Sequence, residues 1–154
     1  MSPFFLQLDF SDEVKTAQTA SKFARLLKAG DTVLFEGQIG AGKSAFCRAI
    51  IRSLCGHNTE VPSPTFTIVQ TYEAHNFEVW HCDLYRLGDP DEVIELGIEA
   101  AFETAAVLVE WPDRLGDVRP NDALTISITT TGDTRHFAFC GSKEWAARIG
   151  TLND

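Results

Sequence analysis

The sequence holds no run of basic residues. Thirteen Lys and Arg stand against 22 Asp and Glu, a formal net charge of −9. Free nucleic acid would be repelled, because affinity for a phosphate backbone comes chiefly from clustered Lys and Arg. A role near RNA would therefore need a partner protein. There is no C-x-x-C pair either. Cys47, Cys55, Cys82 and Cys140 lie mostly among apolar neighbours, which reads as buried thiols in a reducing compartment ahead of metal ligation. No apolar run approaches the ~18 residues of a membrane span, and Met1-Ser2-Pro3-Phe4-Phe5-Leu6 lacks the basic flank of a secretory signal. A cytoplasmic location with no membrane attachment is expected. No internal repeat, low-complexity tract or linker interrupts the 154 residues. Residues 1–154 are therefore expected to form one domain, long enough for a core but too short for a motor or a multidomain transporter ATPase.

What is present is a complete G-x-x-x-x-G-K-[ST] pattern, Gly37-Gln38-Ile39-Gly40-Ala41-Gly42-Lys43-Ser44. At ordinary residue frequencies it should arise by chance in about one chain in two hundred of this length. Its context is the required one. Thr32-Val33-Leu34-Phe35-Glu36 is a β-branched and aromatic run, and after Lys43 the apolar residues Phe46, Ala49, Ile50 and Leu54 recur at helical spacing. Glycines let the backbone of Gly37, Gly40, Ala41, Gly42, Lys43, Ser44 and Ala45 turn its N–H groups toward phosphate oxygens, while the following helix aims its positive dipole end at the same charge. The Lys43 ammonium is expected to bridge the β- and γ-phosphates of a nucleoside triphosphate, and the Ser44 hydroxyl to ligate Mg²⁺.

The remaining chain reads as an α/β alternation. Phe4 to Asp9 suggests a strand, followed by a helix with Ser11 as N-cap and Asp12 and Glu13 in its first turn. That helix would bury Ala20, Phe23, Ala24 and Leu27 and stop at Gly30. Val61-Pro62-Ser63-Pro64 must be extended. Thr65 to Tyr72 and Phe77 to Cys82 are strand-like, and the short link between them implies an antiparallel hairpin beside the phosphate-loop strand. Asp89-Pro90-Asp91-Glu92 starts a helix, with two short helices near 90–96 and 98–104 broken at Gly97. Ala106 to Val109 is a doubly buried strand ending in Glu110. Ala123 to Thr130 and Arg135 to Cys140 form a terminal hairpin, and Ser142 to Ile149 a last helix.

A triphosphate site also needs a carboxylate at a neighbouring strand end, to hold Mg²⁺ or its waters. Glu110 and Asp83 both qualify. Either could instead be a solvated strand-end acid. Thr65, after its Pro-rich loop, could reach the γ-phosphate or the metal in the manner of a GTPase switch, or simply start a strand with its hydroxyl in solvent. Arg86 could neutralise transition-state charge or pair with Asp89 on the surface. Trp80, Trp111 and Tyr72 read as core or interface residues. Guanine specificity is disfavoured, because no N-K-x-D motif accompanies the D-x-x-G match at Asp113–Gly116. A small-molecule kinase is disfavoured by the lack of an arginine-bearing lid.

The ordered motifs resemble the TsaE family (also called YjeE), the ATPase component of bacterial tRNA threonylcarbamoyladenosine biosynthesis. The resemblance rests on the phosphate loop, Ser63-Pro64-Thr65-Phe66 with Tyr72, and His81-Cys82-Asp83-Leu84-Tyr85-Arg86-Leu87. It continues through Glu95-Leu96-Gly97-Ile98 and Val109-Glu110-Trp111-Pro112. It implies a P-loop NTPase-like three-layer α/β domain, with a mixed central sheet and helices on both faces. It also implies ATP and Mg²⁺ as cofactors, weak ATP hydrolysis alone, and service to a TsaB–TsaD complex that modifies the adenosine beside the tRNA anticodon, so that tRNA is met only through that complex. By motif, Lys43 would hold phosphate, Ser44 and Glu110 would ligate Mg²⁺, Thr65 would lie in a switch-like loop, and Asp83 would position or activate the attacking water. Family members commonly have Thr at the position of Ser44, which supplies the same hydroxyl. The Asp12 region and Arg135 resemble the family's nucleotide-flanking segments. An ATP-sensing scaffold that needs no hydrolysis is the main alternative.

Overall fold

The computed structural model describes residues 5–38, 40–65 and 67–153. Phe4, Ile39 and Phe66, each part of a segment assigned above, lie outside the described residues. Seven strands form one sheet: β1 (Leu6–Phe10), β2 (Thr32–Glu36), β3 (Val69–Glu73), β4 (Glu78–Asp83), β5 (Ala106–Glu110), β6 (Leu124–Thr131) and β7 (Thr134–Cys140). Their spatial order is β1-β7-β6-β2-β5-β4-β3. The neighbours β6, β2, β5 and β4 run parallel, and antiparallel partners close both edges.

Alternation along the strands divides the core into two layers. Val33 and Phe35 of β2 join a cluster with α1 (Glu13–Ala24), α2 (Lys43–Cys55) and, through Trp145 and Ile149, a helix over Lys143–Ile149. Leu34 faces the other way, with Val107 and Val109, onto α3 (Pro90–Glu95) and α4 (Ile98–Thr104); the Lys143–Ile149 helix is therefore α5. The three-layer α/β arrangement with helices on both faces is thus observed. No helix among the described residues is long and apolar enough to cross a membrane.

Several boundaries differ from expectation for local reasons. Asp12, not Ser11, caps α1, accepting from the Val14 backbone N–H at 2.7 Å. The helix ends at Ala24 rather than at Gly30, because tighter turns take over: Leu26 N–H bonds Phe23 O, and Leu27 N–H bonds Ala24 O. The stretch expected as strand from Thr65 starts only at Val69. Ile68 N–H bonds back to Pro64 O at 2.7 Å, and Ile68 adopts φ +70°. The β3–β4 hairpin is antiparallel as expected, but β5 stands between it and β2. Five consecutive buried residues let β5 take that central place.

α5 is fastened to the β2 side by Arg148. Its guanidinium binds Asp31 at 2.6 Å, donates to Leu26 O, and lies 4.2 Å over the Trp145 ring. Both side chains are largely buried. Removing one partner of such a pair strands the other charge, so Arg148→Ala should lower unfolding free energy by about 3 kcal/mol. The urea midpoint measures this, and a change below about 1 kcal/mol, the range of an exposed pair, would refute it.

Cys47 and Cys82 are fully buried, and none of the four thiols is disulfide-bonded. Burial pushes both thiols up from their ordinary range. The folded state therefore keeps protons that the unfolded chain releases above about pH 8.5. Stability present below that pH should fall as pH rises, by about 1.4 kcal/mol per pH unit for each thiol. Burial lowers the Lys43 pKa and contributes the opposite slope. Comparing denaturant midpoints of the Cys47→Ala/Cys82→Ala double variant with the unaltered chain from pH 8 to 10 isolates the thiols. The double variant should decline less steeply.

Candidate functional site

Three parallel strands end side by side where the phosphate-loop pattern begins. The register pairs Phe35 of β2 with Glu110 of β5, and Glu110 with Asp83 of β4. Both acids therefore stand at the carboxyl ends of their strands, where open α/β sheets bind ligands. Facing them, α2 starts at Lys43 directly after Gly42, which has no side-chain cap. Each of the other four described α-helices carries an acid in its first turn, whereas α2 carries none. Its uncapped N–H groups and dipole are left for an anion from outside.

The loop backbone demands glycine at defined points. Gly42 adopts φ +108°, and a Cβ there would come within 2.7 Å of the Arg135 guanidinium. At Gly37 a Cβ would meet the Ile128 carbonyl oxygen at 2.5 Å. The loop thus folds tightly against the β6–β7 hairpin, and Arg135 packs on its outer side.

A cavity of ≈ 430 Å³ opens between these elements, walled by Gly40, Gly42, Lys43, Ser44 and Ala45 on one side. Thr65, Asp83, Glu110, Trp111 and Arg135 complete most of the rest. Of the residues expected at the site, Asp12 lies in an adjoining cavity that shares Gly40 and Arg135 with the first. Gly37 and Ala41 line a third, which shares Gly40 and Trp111 with the first. Arg86 is exposed and outside the cavity wall.

The polar contacts form one network. Ser44 Oγ reaches both Glu110 oxygens, at 2.9 and 3.0 Å. His81 Nε2 lies 2.6 Å from Glu110 Oε2. Asp83 accepts from Tyr85 N–H at 3.0 Å and from the Thr65 hydroxyl at 3.4 Å, and Ser63 lies 2.8 Å from that hydroxyl. Thr65 therefore turns toward the acids and is not a solvent-facing strand residue. Lys43 Nζ donates to Gly37 O and sits 3.6 Å from the centre of the Trp111 ring. Lys43, Asp83 and Glu110 are all buried. Burial depresses the Lys43 pKa, while Glu110, Asp83 and Asp113 oppose that shift.

Two buried carboxylates and a hydroxyl face one ammonium across the cavity. These oxygens form an all-oxygen donor set that suits a hard divalent cation such as Mg²⁺, while Lys43, Arg48 and Arg135 on the same cavity wall suit phosphate. A second donor set, Cys47, His81 and Glu110, places one ligating atom of each within 4.8 Å of the others. The 2.6 Å spacing of His81 and Glu110 is that of a hydrogen bond. Two ligands of a tetrahedral zinc, each about 2.0–2.2 Å from it, stand more than ~3 Å apart. His81 and Glu110 are therefore a hydrogen-bonded pair with Cys47 nearby, and their spacing is not that of a zinc cage.

The family model for "Threonylcarbamoyl adenosine biosynthesis protein TsaE" matches residues 10–137. The chain belongs to the TsaE family. A curated TsaE protein of Rickettsia bellii is 39% identical over 129 residues, covering 84% of this chain and 90% of that one. Its counterpart in Rickettsia conorii is 48% identical over 103 residues, 67% of this chain but 59% of the relative. Both carry the name tRNA threonylcarbamoyladenosine biosynthesis protein TsaE. The crystal structure of Bacillus subtilis YdiB superimposes with a TM-score of 0.78 at 25% identity, covering 99% of this chain and 96% of the other. The P-loop NTPase-like fold expected from the motifs is accordingly the fold observed.

In this TsaE family member two site residues exceed the sequence reading. Trp111, read above as core or interface, lines the cavity and covers Lys43. It adopts φ +59°, which turns the chain straight after Glu110, and it packs 4.7 Å from Tyr85 between ring centres. His81, named above only as the first residue of the His81–Leu87 motif, is 1% exposed and bonded to Glu110. A polar residue two positions before a strand-end acid was the available signal, since both side chains leave the same face of the sheet. Trp80 instead bonds Glu78 at 2.6 Å, and Tyr72 packs on the core, as read.

Proposed function

We propose that the chain is a Mg²⁺-dependent ATPase that serves tRNA threonylcarbamoyladenosine biosynthesis as an accessory subunit of a TsaB–TsaD complex. The observation that carries this is the convergence of Lys43, Ser44, Asp83 and Glu110 on the cavity at the uncapped start of α2. In this reading the backbone N–H groups from Gly40 to Ala45 and the Lys43 ammonium hold the β- and γ-phosphates. Lys43 exchanges its contacts with Gly37 O and the Trp111 ring for phosphate oxygens. Ser44 and Glu110 would hold Mg²⁺, which would offset phosphate charge. Asp83, steadied by Tyr85 N–H, orients a water toward the γ-phosphorus and accepts its proton, with Thr65 on the same carboxylate. Water oxygen bonds to phosphorus, the bond to the β–γ bridging oxygen breaks, and ADP and phosphate result. Arg135 and Asp12 flank the nucleotide from the adjoining cavity.

The net charge of −9 fits a subunit that docks on protein and meets tRNA only through it, in the cytoplasm. The test is ATP hydrolysis by the chain alone and with the TsaB–TsaD pair, alongside formation of modified tRNA. Slow hydrolysis that the pair stimulates, with modification requiring this chain, is expected. Equal rates with and without the pair, and modification indifferent to the chain, would contradict the proposal.

A further inference from the structure

Alternation along β4 sends His81 and Asp83 to the same face of the sheet, and the register sets His81 beside Leu108 and Asp83 beside Glu110. His81 therefore sits one layer beneath the two acids, walled from the cavity and 1% exposed. An imidazole at that depth loses its hydration, and its Nδ1 has no hydrogen-bond partner. An apolar side chain, like the neighbouring Val79 and Leu108, would avoid that cost. What the imidazole provides is its contact with Glu110. A carboxylate accepts hydrogen bonds, so His81 Nε2 carries the hydrogen and donates it to Oε2 across 2.6 Å.

Among the described residues Glu110 also meets Ser44 Oγ, which lies at nearly equal distances from its two oxygens. One hydroxyl carries one hydrogen, so Ser44 does not select between them. Ser44 must also turn its oxygen toward the cation when one binds, loosening its hold on the carboxylate. His81 then remains as the fixed support. It engages Oε2, so Oε1 is the oxygen it leaves unheld.

We propose that His81 is a positioning residue that locks the Glu110 carboxylate through Nε2–H, making Oε1 the oxygen presented to the divalent cation or to its bound water. This rests on the reading of Ser44 and Glu110 as the metal-holding pair. Without the lock Glu110 swings between rotamers, and each binding event must order it again. Hydrogen bonds to metal-binding carboxylates are worth about 10- to 100-fold in metal affinity.

The experiment compares His81→Phe, which removes the donor, with His81→Gln, whose amide nitrogen retains one near the position of Nε2. Each is titrated with Mn²⁺ in the presence of ADP, followed by electron paramagnetic resonance, and each is assayed for ADP affinity without metal and for folding by denaturant midpoint. His81→Phe should weaken Mn²⁺ binding about tenfold or more, leave metal-free ADP affinity within about threefold, and be substantially restored in His81→Gln. Unchanged Mn²⁺ affinity in His81→Phe would overturn the inference. So would an equal loss of metal-free ADP binding that Gln fails to restore, since that marks a role in general packing. The titration needs no hydrolysis. A chain that binds Mn²⁺ in the expected His81-dependent way yet never cleaves ATP would refute the ATPase reading and sustain this one.

Discussion

Asp83→Asn is expected to bind ATP as tightly as the unaltered chain and to hydrolyse it about 100- to 10,000-fold more slowly, the usual contribution of a positioned general base. The asparagine preserves the shape of the carboxylate. Its carbonyl oxygen can still accept from Tyr85 N–H, which holds Asp83 at 3.0 Å, but it cannot take a proton from water. The site is otherwise kept, because Lys43, Ser44 and Glu110 make their contacts without Asp83. Single-turnover hydrolysis and equilibrium ATP binding measure the two halves of the expectation. The same variant separates an ATPase from a scaffold that only senses ATP. If modified tRNA accumulated over many turnovers with ATP bound but uncleaved, hydrolysis would have no part in the function.

The second large effect concerns binding. Lys43→Ala should lower ATP affinity at least about 100-fold, equivalent to roughly 3 kcal/mol, the scale of losing one partner from a desolvated charge pair. Lys43 is 4% exposed and already stripped of water, so little further desolvation is needed when phosphate replaces Gly37 O and the Trp111 ring. The alanine variant should fold normally. Its loss removes an ammonium from beside Glu110 and Asp83 without opening the apolar layers, which are built from other residues. Calorimetric titration of ATP with Mg²⁺ reads the affinity, and a loss below about threefold would remove Lys43 from the binding machinery.

The parts of the fold that periodicity reports were legible in the sequence. The β2–loop–α2 unit has its expected bounds, since Val33, Leu34 and Phe35 are buried on both faces of the sheet and glycine stands at the positive-φ positions 37, 40 and 42. Strand order was not legible. Nothing local to Val69–Glu73 says that β5 will separate its hairpin from β2, because that choice is made by the all-buried Ala106–Glu110 strand in competition for the centre. The turn at Thr65–Ile68 was hidden for a related reason. Thr, Ile and Val favour strands through packing on a pleated surface, but here Pro64 O captures Ile68 N–H and the segment coils toward Asp83.

The same division applies to the site. Lys43, Ser44, Asp83 and Glu110 announce themselves by motif or by position at a strand end, and the folded chain brings all four together. Trp111 and His81 take their roles from tertiary placement, although His81 stands two residues before a strand-end acid. The left-handed backbone of Trp111 turns its ring over Lys43, and no propensity scale anticipates that. His81 acquires its meaning from a register between β4 and β5 that pairs Asp83 with Glu110.

A crystal structure with a non-hydrolysable ATP analogue and Mg²⁺ would show whether this cavity holds both in one arrangement. Lys43 Nζ should withdraw from the Trp111 ring to within hydrogen-bond distance of the β- and γ-phosphate oxygens. The cation should lie beside Ser44 Oγ and Glu110, and Asp83 should hold a water on the far side of the γ-phosphorus. A nucleotide bound away from the start of α2, with Lys43 still lying over Trp111, would contradict that arrangement.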